Sequence, residues 1–316
     1  MPLLINYNSG KDLHAFLEER GLGMRKKFGQ NFLINSSDRS SLLDALELQK
    51  GDRIWEIGPG LGAMTKGLLE RGGKVCAFEI DPAFTIILRE LFPEELFPPA
   101  GNASSLRIVE GDVLKTWPKI NIEESVPEEK LFLLGNLPYN VAAALLADFI
   151  EKGRFFKRMV VTVQREVAAR MAAAPGSKDY SSFSVLCSSV YKITPLKVIK
   201  GSSFFPAPHI DSRGVRLDLV PQRKNMPRLF YPLVRALFSS RRKTIKNTLS
   251  VYALELIMKQ KGGGDRNPAL NRELARNAVM EVLNRSGVSG ERRPETLGIH
   301  EFIALAVFLE EFLNHE

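Results

Sequence analysis

The chain has 316 residues, of which 44% are hydrophobic and 25% are charged, and its formal net charge is +8. This composition excludes a disordered or fibrous protein, and the length is sufficient for two domains. The excess of Lys and Arg favours an anionic partner such as nucleic acid over a merely basic surface, because binding a phosphate backbone releases counterions.

Neither a disulfide framework nor a metal site is expected. The two cysteines, Cys76 and Cys187, have no partner at metal-ligand spacing and are predicted to be buried thiols. The N-terminal ten residues lack the basic and apolar regions of a signal peptide, and no apolar run reaches the roughly 18 residues of a membrane span. We therefore expect a cytoplasmic protein without a membrane partner.

Short apolar runs alternate with helical patterns along the first half of the chain. Strands are predicted at residues 53–57, 74–79, 106–110, 131–136, 159–163, 191–199 and 214–219. Helices are predicted at residues 64–71, 83–91 and 141–150. Because Leu131–Leu134 is apolar at every position, helices should cover both faces of the sheet. The pattern predicts a doubly wound, Rossmann-like α/β sheet.

The character of the sequence changes after Pro221, where helical patterns replace the alternation. This change predicts an α/β domain over residues 1–220 and a smaller, helical domain over residues 221–316. The glycine run at 262–264 is expected to be a loop between helices. Residues 92–105 and 121–130 are interpreted as surface insertions to which no chemistry is assigned.

A nucleoside site is predicted at one edge of the sheet. The segment Glu56–Gly62 (EIGPGLG) directly follows a predicted strand, and its glycines allow a sharp turn and close approach of a ligand to the backbone. Glu79 ends the next strand, where a carboxylate can accept hydrogen bonds from ribose hydroxyls, and Asp112–Val113 follows the third strand. The alternative is an ordinary tight turn with acidic residues that cap helices.

The glycine-rich turn alone does not separate NAD from S-adenosylmethionine. Its spacing is Gly-x-Gly-x-Gly, whereas the dinucleotide fingerprint is Gly-x-Gly-x-x-Gly. This difference favours S-adenosylmethionine as the cofactor.

The most specific pattern is Gly135–Asn140 (GNLPYN), at the end of the fourth predicted strand. Asn136 and a carbonyl of Leu137 or Pro138 can together accept both hydrogens of an aromatic amino group. Holding that nitrogen toward tetrahedral geometry restores its reactivity, and Tyr139 can stack on the base. The alternative is a polar turn that ends a strand.

With these motifs, the sequence resembles the KsgA family of ribosomal RNA adenine dimethylases, from Arg25 to the region after Asn247. The ordered series also includes KFGQNFL at 27–33, GSKDY at 176–180, FFPAPHIDS at 204–212 and RRKT at 241–244. The resemblance implies methyl transfer from S-adenosylmethionine to N6 of two adjacent adenines near the 3′ end of 16S ribosomal RNA. The implied partner is the assembling small ribosomal subunit, and a monomer is expected.

The resemblance and the motifs together assign roles to single residues. Contacts with the donor are expected for Asn31, Leu33, Glu56, Gly58, Gly60, Glu79, Asp112, Val113 and Asn136. Asn31 and Leu33 would cover the methionine side, Glu79 would hold the ribose and Asp112 the adenine. Contacts with the target base are expected for Asn136, Leu137, Pro138, Tyr139 and Phe204. Phe204 would stack on the flipped-out base opposite Tyr139.

Two departures from the family pattern concern the region that contacts the target: Ala207 replaces a middle proline, and Ser181 replaces a common glycine.

Two other functions remain as alternatives. One is an Erm-type enzyme that methylates an adenine of 23S ribosomal RNA, against which the segments at 176–180 and 204–212 argue. The other is a non-catalytic RNA-binding assembly factor, against which the intact cofactor positions argue.

A stretch of one sign of charge lies between Arg223 and Lys246, where eight cations and three aromatic residues occur without one Asp or Glu. A stretch of this kind is more typical of a surface that binds a phosphate backbone than of an ordinary solvated helix surface. The predicted RNA-binding residues are Arg25, Lys26, Lys27, Arg223, Lys224, Arg241, Arg242, Lys243 and Lys246.

Overall fold

The computed structural model describes residues 5–23, 30–97, 105–124, 127–137, 141–221, 226–240, 242–260 and 268–315. The chain forms two units, each made of two stretches of sequence. The first contains Met1–Ala168 and Tyr191–Leu219, and the second contains Ala169–Val190 and Val220–Glu316.

The first unit is built on a seven-stranded sheet and a two-stranded ribbon. Its strands are β1 (Phe32–Leu33), β2 (Arg53–Ile57), β3 (Lys74–Glu79), β4 (Ser105–Glu110), β5 (Leu131–Asn136), β6 (Arg158–Gln164), β7 (Tyr191–Ile199), β8 (Phe204–Phe205) and β9 (Ser212–Leu219). The large sheet has the order β4-β3-β2-β5-β6-β9-β7. Its first five strands run parallel, and β9 pairs antiparallel with both β6 and β7. The strand order reverses between β2 and β5, which is where such sheets bind ligands.

Helices cover both faces of this sheet, as the continuously apolar strands predict. They are α1 (Gly10–Glu19), α2 (Ser36–Ala45), α3 (Ala63–Glu70), α4 (Pro82–Leu91), α5 (Pro93–Leu96), α6 (Val113–Glu124), α7 (Ala142–Glu151) and α8 (Arg165–Met171), the last of which extends into the second unit. Ile54 and Phe132 pack against leucines of α2, α3 and α4. On the other face, Trp55 packs against Phe149 of α7 and Trp117 of α6. Neighbouring strand residues thus enter opposite cores.

The second unit is helical and contains α9 (Ser182–Val190), α10 (Phe230–Phe238), α11 (Ile245–Gln260), α12 (Pro268–Ser286) and α13 (Ile299–His315). Its core includes Tyr180 and Val185 together with residues of all four C-terminal helices. The Tyr180 hydroxyl donates to the Leu297 carbonyl at 2.9 Å, and the Gly176 amide donates to the Glu295 carbonyl at 2.7 Å. Residues 169–190 therefore belong with the helices. The sequence had predicted them as part of the domain at residues 1–220.

The predicted strands and helices are present, and the structure adds elements that were not predicted, including α1, α2, β1 and β8. The predicted strands at 53–57, 74–79 and 131–136 agree with β2, β3 and β5 in both bounds. The two presumed insertions carry helical structure, because α5 lies in residues 92–105 and α6 extends to Glu124. The glycine run at 262–264 lies outside the described residues. Both cysteines are buried thiols, as predicted. Among the described residues, no helix has the length and apolar character needed to cross a membrane.

Candidate active site

A pocket lies at the carboxyl ends of β2, β3 and β5, where the strand order reverses. Its described lining consists of Tyr7, Leu13, Gln30, Asn31, Phe32, Leu33, Gly58, Pro59, Gly60, Leu61, Ala63, Met64, Glu79, Ile80, Phe84 and Asn136. Six of the predicted donor residues thus meet at one place: Asn31, Leu33, Gly58, Gly60, Glu79 and Asn136.

The glycine-rich turn after β2 forms one wall of the pocket. Gly58 and Gly60 have φ angles of 68° and 56°, in the left-handed region that side chains disfavour. A Cβ at Gly60 would also lie 3.0 Å from the Phe32 ring. The backbone conformation therefore requires glycine at both positions. At Gly60, the close approach of β1 also excludes a side chain.

Glu79, the last residue of β3, ties this turn to the neighbouring strand. One carboxylate oxygen accepts the Gly60 amide at 3.0 Å, and the other accepts the Asp81 amide at 2.8 Å. Burial of the side chain raises the pKa of Glu79 to about 6, although the hydrogen bonds from the Asp81 and Gly60 amides oppose the shift. Each carboxylate oxygen has a further lone pair, so this group can also accept a ribose hydroxyl.

Glu56 does not occupy the predicted position at the donor. Its side chain is buried, it is not part of the described pocket lining, and its Oε2 accepts the Thr65 hydroxyl of α3 at 2.7 Å. Burial raises its pKa to about 8, and the nearby charge of Glu79 adds to the shift while Thr65 lowers it. The carboxyl group joins the end of β2 to α3 behind the glycine-rich turn.

Asp112 and Val113 lie beyond the described wall of the pocket. They follow β4 at the same edge of the sheet, and the Gly111 amide donates to the Glu79 carbonyl at 2.8 Å. The Asp112 carboxylate accepts the Leu114 amide at 3.0 Å and so caps α6, which is the structural role that the sequence analysis weighed as its alternative. A donor contact at Asp112 requires the ligand to extend past Glu79 toward the end of β4.

Asn136 ends β5 and connects it to the N-terminal segment. Its amide nitrogen donates to the Asn31 carbonyl at 2.9 Å, over a separation of 105 residues in sequence. Both residues line the pocket beside Gly58. Because the donor end of the amide is occupied, its oxygen is the group that remains suited to an incoming amine.

Phe204 does not occupy the predicted position at the target base. Strand β8 pairs antiparallel with β1, with Phe204 opposite Leu33 and Phe205 opposite Phe32. The Phe204 side chain is only 3% exposed and packs in the core with Leu33 and Leu42. Its ring has no open face for a base, and its role in this structure is to anchor β1 beside the pocket.

Of the other residues predicted to contact the target base, the structure describes Leu137. Leu137 is buried, and its amide donates to the Thr162 carbonyl at 3.1 Å, which extends the pairing of β5 with β6. Pro138 and Tyr139 lie outside the described residues. Among the residues that are described, no group of three His, Cys, Asp or Glu side chains could hold a metal ion.

Several lining residues were missed by the sequence analysis. Gln30 and Phe32 lie within the motif KFGQNFL that it quoted, and Ile80 directly follows Glu79, so adjacency to named positions would have indicated them. Tyr7 and Leu13 lie in an N-terminal stretch that contains no motif, and nothing in the sequence indicates them.

The predicted basic residues that are described lie in the second unit. Arg242, Lys243 and Lys246 are exposed, and within the described part of the chain none of them pairs with a carboxylate. The start of α11 is held by backbone hydrogen bonds, since the Lys246 amide donates to the Gly290 carbonyl at 2.9 Å. Lys246 also lines a groove with Arg272 and Arg276 of α12, two cations that the sequence analysis did not name. Outside the described residues lie Arg25, Lys26, Lys27, Arg223, Lys224 and Arg241.

The strand order and the pocket at its reversal point are typical of the class I methyltransferase fold. A family model described as Ribosomal RNA adenine dimethylase matches residues 21–267. The Ribosomal RNA small subunit methyltransferase A of Treponema denticola is 42% identical over 304 residues, which are 95% of this chain and 94% of that protein. The protein of the same name from Borreliella afzelii is 37% identical over 97% of this chain and 96% of its own length. The chain belongs to the ribosomal RNA adenine dimethylase family, which confirms the predicted resemblance.

Solved structures support the fold. A dimethyladenosine transferase from Plasmodium falciparum superposes with a TM-score of 0.68 at 24% identity, covering 88% of this chain and 97% of that one. The 23S ribosomal RNA methyltransferase ErmE gives a TM-score of 0.57 at 20% identity, covering 88% and 99%. Both cover most of the chain, so the predicted combination of a methyltransferase sheet with a helical region is confirmed.

Donor affinity should depend on pH through Glu79. A ribose hydroxyl donates to the ionised carboxylate, so protonation competes with binding and the affinity should fall as the pH decreases below about 6. The limiting slope is about tenfold per pH unit for one proton. In Glu79→Gln, an amide N–H faces a backbone amide, so affinity should be weak at neutral pH and independent of pH between 5 and 7. Calorimetric titration with S-adenosylmethionine measures both.

Glu110→Gln provides the matched control, because Glu110 ends β4 directly opposite Glu79 in the register and does not line the described pocket. This variant should retain the wild-type pH dependence. A wild-type dissociation constant that stays the same from pH 5 to pH 7.5 would contradict the assigned role of Glu79.

Replacing Arg242, Lys243 and Lys246 together by Ala should weaken RNA binding and leave donor affinity unchanged. All three side chains are exposed, so the fold should tolerate the change. If each neutralises one phosphate, the slope of log affinity against log salt should decrease by about two to three. Filter binding to ribosomal RNA over a salt series measures the slope. Wild-type affinity together with a wild-type slope would show that this surface is merely solvated.

Proposed function

We propose that this protein transfers methyl groups from S-adenosylmethionine to the N6 amino groups of two adjacent adenines near the 3′ end of 16S ribosomal RNA. It acts as a monomer, in the cytoplasm, on the assembling small subunit. Family membership and the names of the relatives support the reaction and the class of RNA. The observation that carries the proposal is the Asn136 amide at the sheet's reversal point, oriented by the Asn31 carbonyl beside the donor pocket.

The residues of the pocket fit this donor. The positive φ angles of Gly58 and Gly60 bring bare backbone to the ligand, and the Glu79 carboxylate can accept ribose hydroxyls. Leu33 and Ile80 add apolar surface to the lining. When bound, S-adenosylmethionine supplies a methyl group on a positively charged sulfur. The lining residues would hold the donor at the edge of the sheet where Asn136 lies.

The chain's main contribution to the reaction is orientation of the target amine. The Asn136 oxygen and a carbonyl of Leu137 or Pro138 would accept the two N–H groups, which takes the nitrogen lone pair out of conjugation with the ring and directs it toward the donor. Tyr139 would stack on the extruded base. No strong general base is required, because the nitrogen becomes acidic only after it has been methylated.

Phe204 is not part of this mechanism in the conformation described, since its ring anchors β1. An Erm-type activity on 23S ribosomal RNA is the competing function, because ErmE shares the fold over most of the chain.

Mapping of transferred methyl groups tests the proposal. Purified protein is incubated with S-adenosylmethionine carrying a labelled methyl group and with undermethylated small and large ribosomal subunits, and the labelled nucleotides are located on both RNAs. We expect dimethyladenosine at two adjacent positions near the 3′ end of 16S RNA. Label on a 23S adenine would support the Erm-type activity, and absence of label on either RNA would support a non-catalytic assembly factor.

Asn136→Ala should retain donor affinity and lose most methyl transfer. Removing one oriented polar contact to the reacting group costs on the order of 3 kcal/mol, which is about a hundredfold in rate. Calorimetry with S-adenosylmethionine and single-turnover methylation measure the two effects separately. Asn277→Ala, at an exposed position of α12, is the control and should match the wild type in both. Wild-type turnover by Asn136→Ala would refute the assignment.

A further inference from the structure

Arg39 of α2 is a partly buried cation that makes three contacts with backbone and side chains near the pocket. Its Nη1 donates to the Leu33 carbonyl at 2.7 Å and to the Tyr7 carbonyl at 3.2 Å. Its Nη2 donates to the side-chain oxygen of Asn8. Arg39 does not itself line the described pocket, whereas Tyr7 and Leu33 both do. One guanidinium therefore joins two separate stretches of pocket wall.

Tyr7 connects the same N-terminal stretch to the glycine-rich turn. Its hydroxyl donates to the Leu61 carbonyl at 3.0 Å, directly after Gly60. Burial raises the pKa of the Tyr7 hydroxyl well above its usual value, and the nearby Glu56 carboxyl adds to the shift. The hydroxyl therefore remains a proton donor throughout the working pH range, and the contact with Leu61 is not lost by ionisation.

Helix α1 fixes the position of this stretch from its other end. Leu13 and Leu17 are buried against Leu61, Phe84 and Ile87 in an apolar cluster that belongs to the first unit. The helix begins after Ser9, whose side chain accepts the Asp12 amide at 3.2 Å. Residues 5–9 are thus held between the apolar contacts of α1 and the guanidinium of Arg39, and Tyr7 is among the residues that line the pocket.

We propose that Tyr7 is a further donor-binding residue and that Arg39 is the positioning residue that holds it, together with Leu33, against the donor. We name this arrangement the Arg39 clasp and define it by Tyr7, Asn8, Leu33 and Arg39. The inference rests on the proposed donor site but not on the identity of the RNA target. The clasp covers the pocket from the N-terminal side. Loss of Arg39 would therefore release two lining residues at once, although Arg39 itself does not line the pocket.

The test uses the full-length protein and S-adenosylmethionine as the probe. Arg39→Ala should weaken donor affinity about tenfold, the scale expected for losing hydrogen bonds that organise a wall. The KM for the donor should rise by a similar factor, and kcat should change little, because the target amine is held elsewhere. Arg39→Lys should be intermediate, since a single ammonium lacks the fork that reaches separate acceptors.

Arg71→Ala is the matched control. Arg71 also contacts α2, through Asp44 at 2.6 Å, and donates to the Gly67 carbonyl at 3.0 Å, but neither contact involves the pocket lining. This variant loses a comparable arginine bridge and should retain wild-type donor affinity. Equal weakening in Arg39→Ala and Arg71→Ala would overturn the proposal, because it would show a general loss of stability.

Tyr7 gives an independent test. Tyr7→Phe keeps the ring and should weaken donor affinity less than Tyr7→Ala, which removes the wall. Hydrogen exchange of residues 5–19 should slow on addition of S-adenosylmethionine in the wild type, and this protection should decrease in Arg39→Ala. Unchanged donor affinity in both Arg39→Ala and Tyr7→Ala would overturn the clasp. Such a result would leave the methyl-mapping result untouched, so the two failures are distinguishable.

Discussion

The hydrogen bonds of Glu79 determine the shape of the donor pocket. Two backbone amides from different loops, those of Gly60 and Asp81, converge on one buried carboxylate. Burial raises the pKa of this carboxylate to about 6, and the hydrogen bonds from the two amides oppose a larger shift. The glycine-rich turn, the end of β3 and the start of α4 all take their positions from this charge.

Asn136 provides the second connection, between the sheet and the segment that covers the pocket. Its bond to the Asn31 carbonyl links the end of β5 to the chain just before β1, and β1 is in turn held by β8. Residues from three distant parts of the sequence are therefore positioned as one surface. If the donor and the target amine bind at this surface as proposed, one set of contacts orients both the methyl group and its acceptor.

The parallel strands and the donor edge could be predicted because they depend on local patterns. Leu131–Leu134 is apolar at every position, and the glycines after β2 are required by backbone angles. The positions that differ from the prediction are set by tertiary packing. Phe204 was expected at the base from its place in a motif, but the pairing of β8 with β1 turns it into the core. Glu56 was expected at the donor, but the Thr65 hydroxyl of α3 holds it. Tyr7 could not be predicted, since its place depends on contacts with Arg39 and Leu61.

The interleaving of the two units has a consequence for synthesis of the chain. Residues 169–190 are made before the last strands of the sheet, yet Tyr180 and Val185 find their core only among helices that are translated later. The apolar residues of this stretch therefore remain uncovered during synthesis until about residue 313 has left the ribosome tunnel. A fragment cut at residue 220 would keep that stretch permanently uncovered and would be prone to aggregate. The C-terminal helices thus cover apolar residues of the 169–190 stretch, in addition to any role in binding RNA.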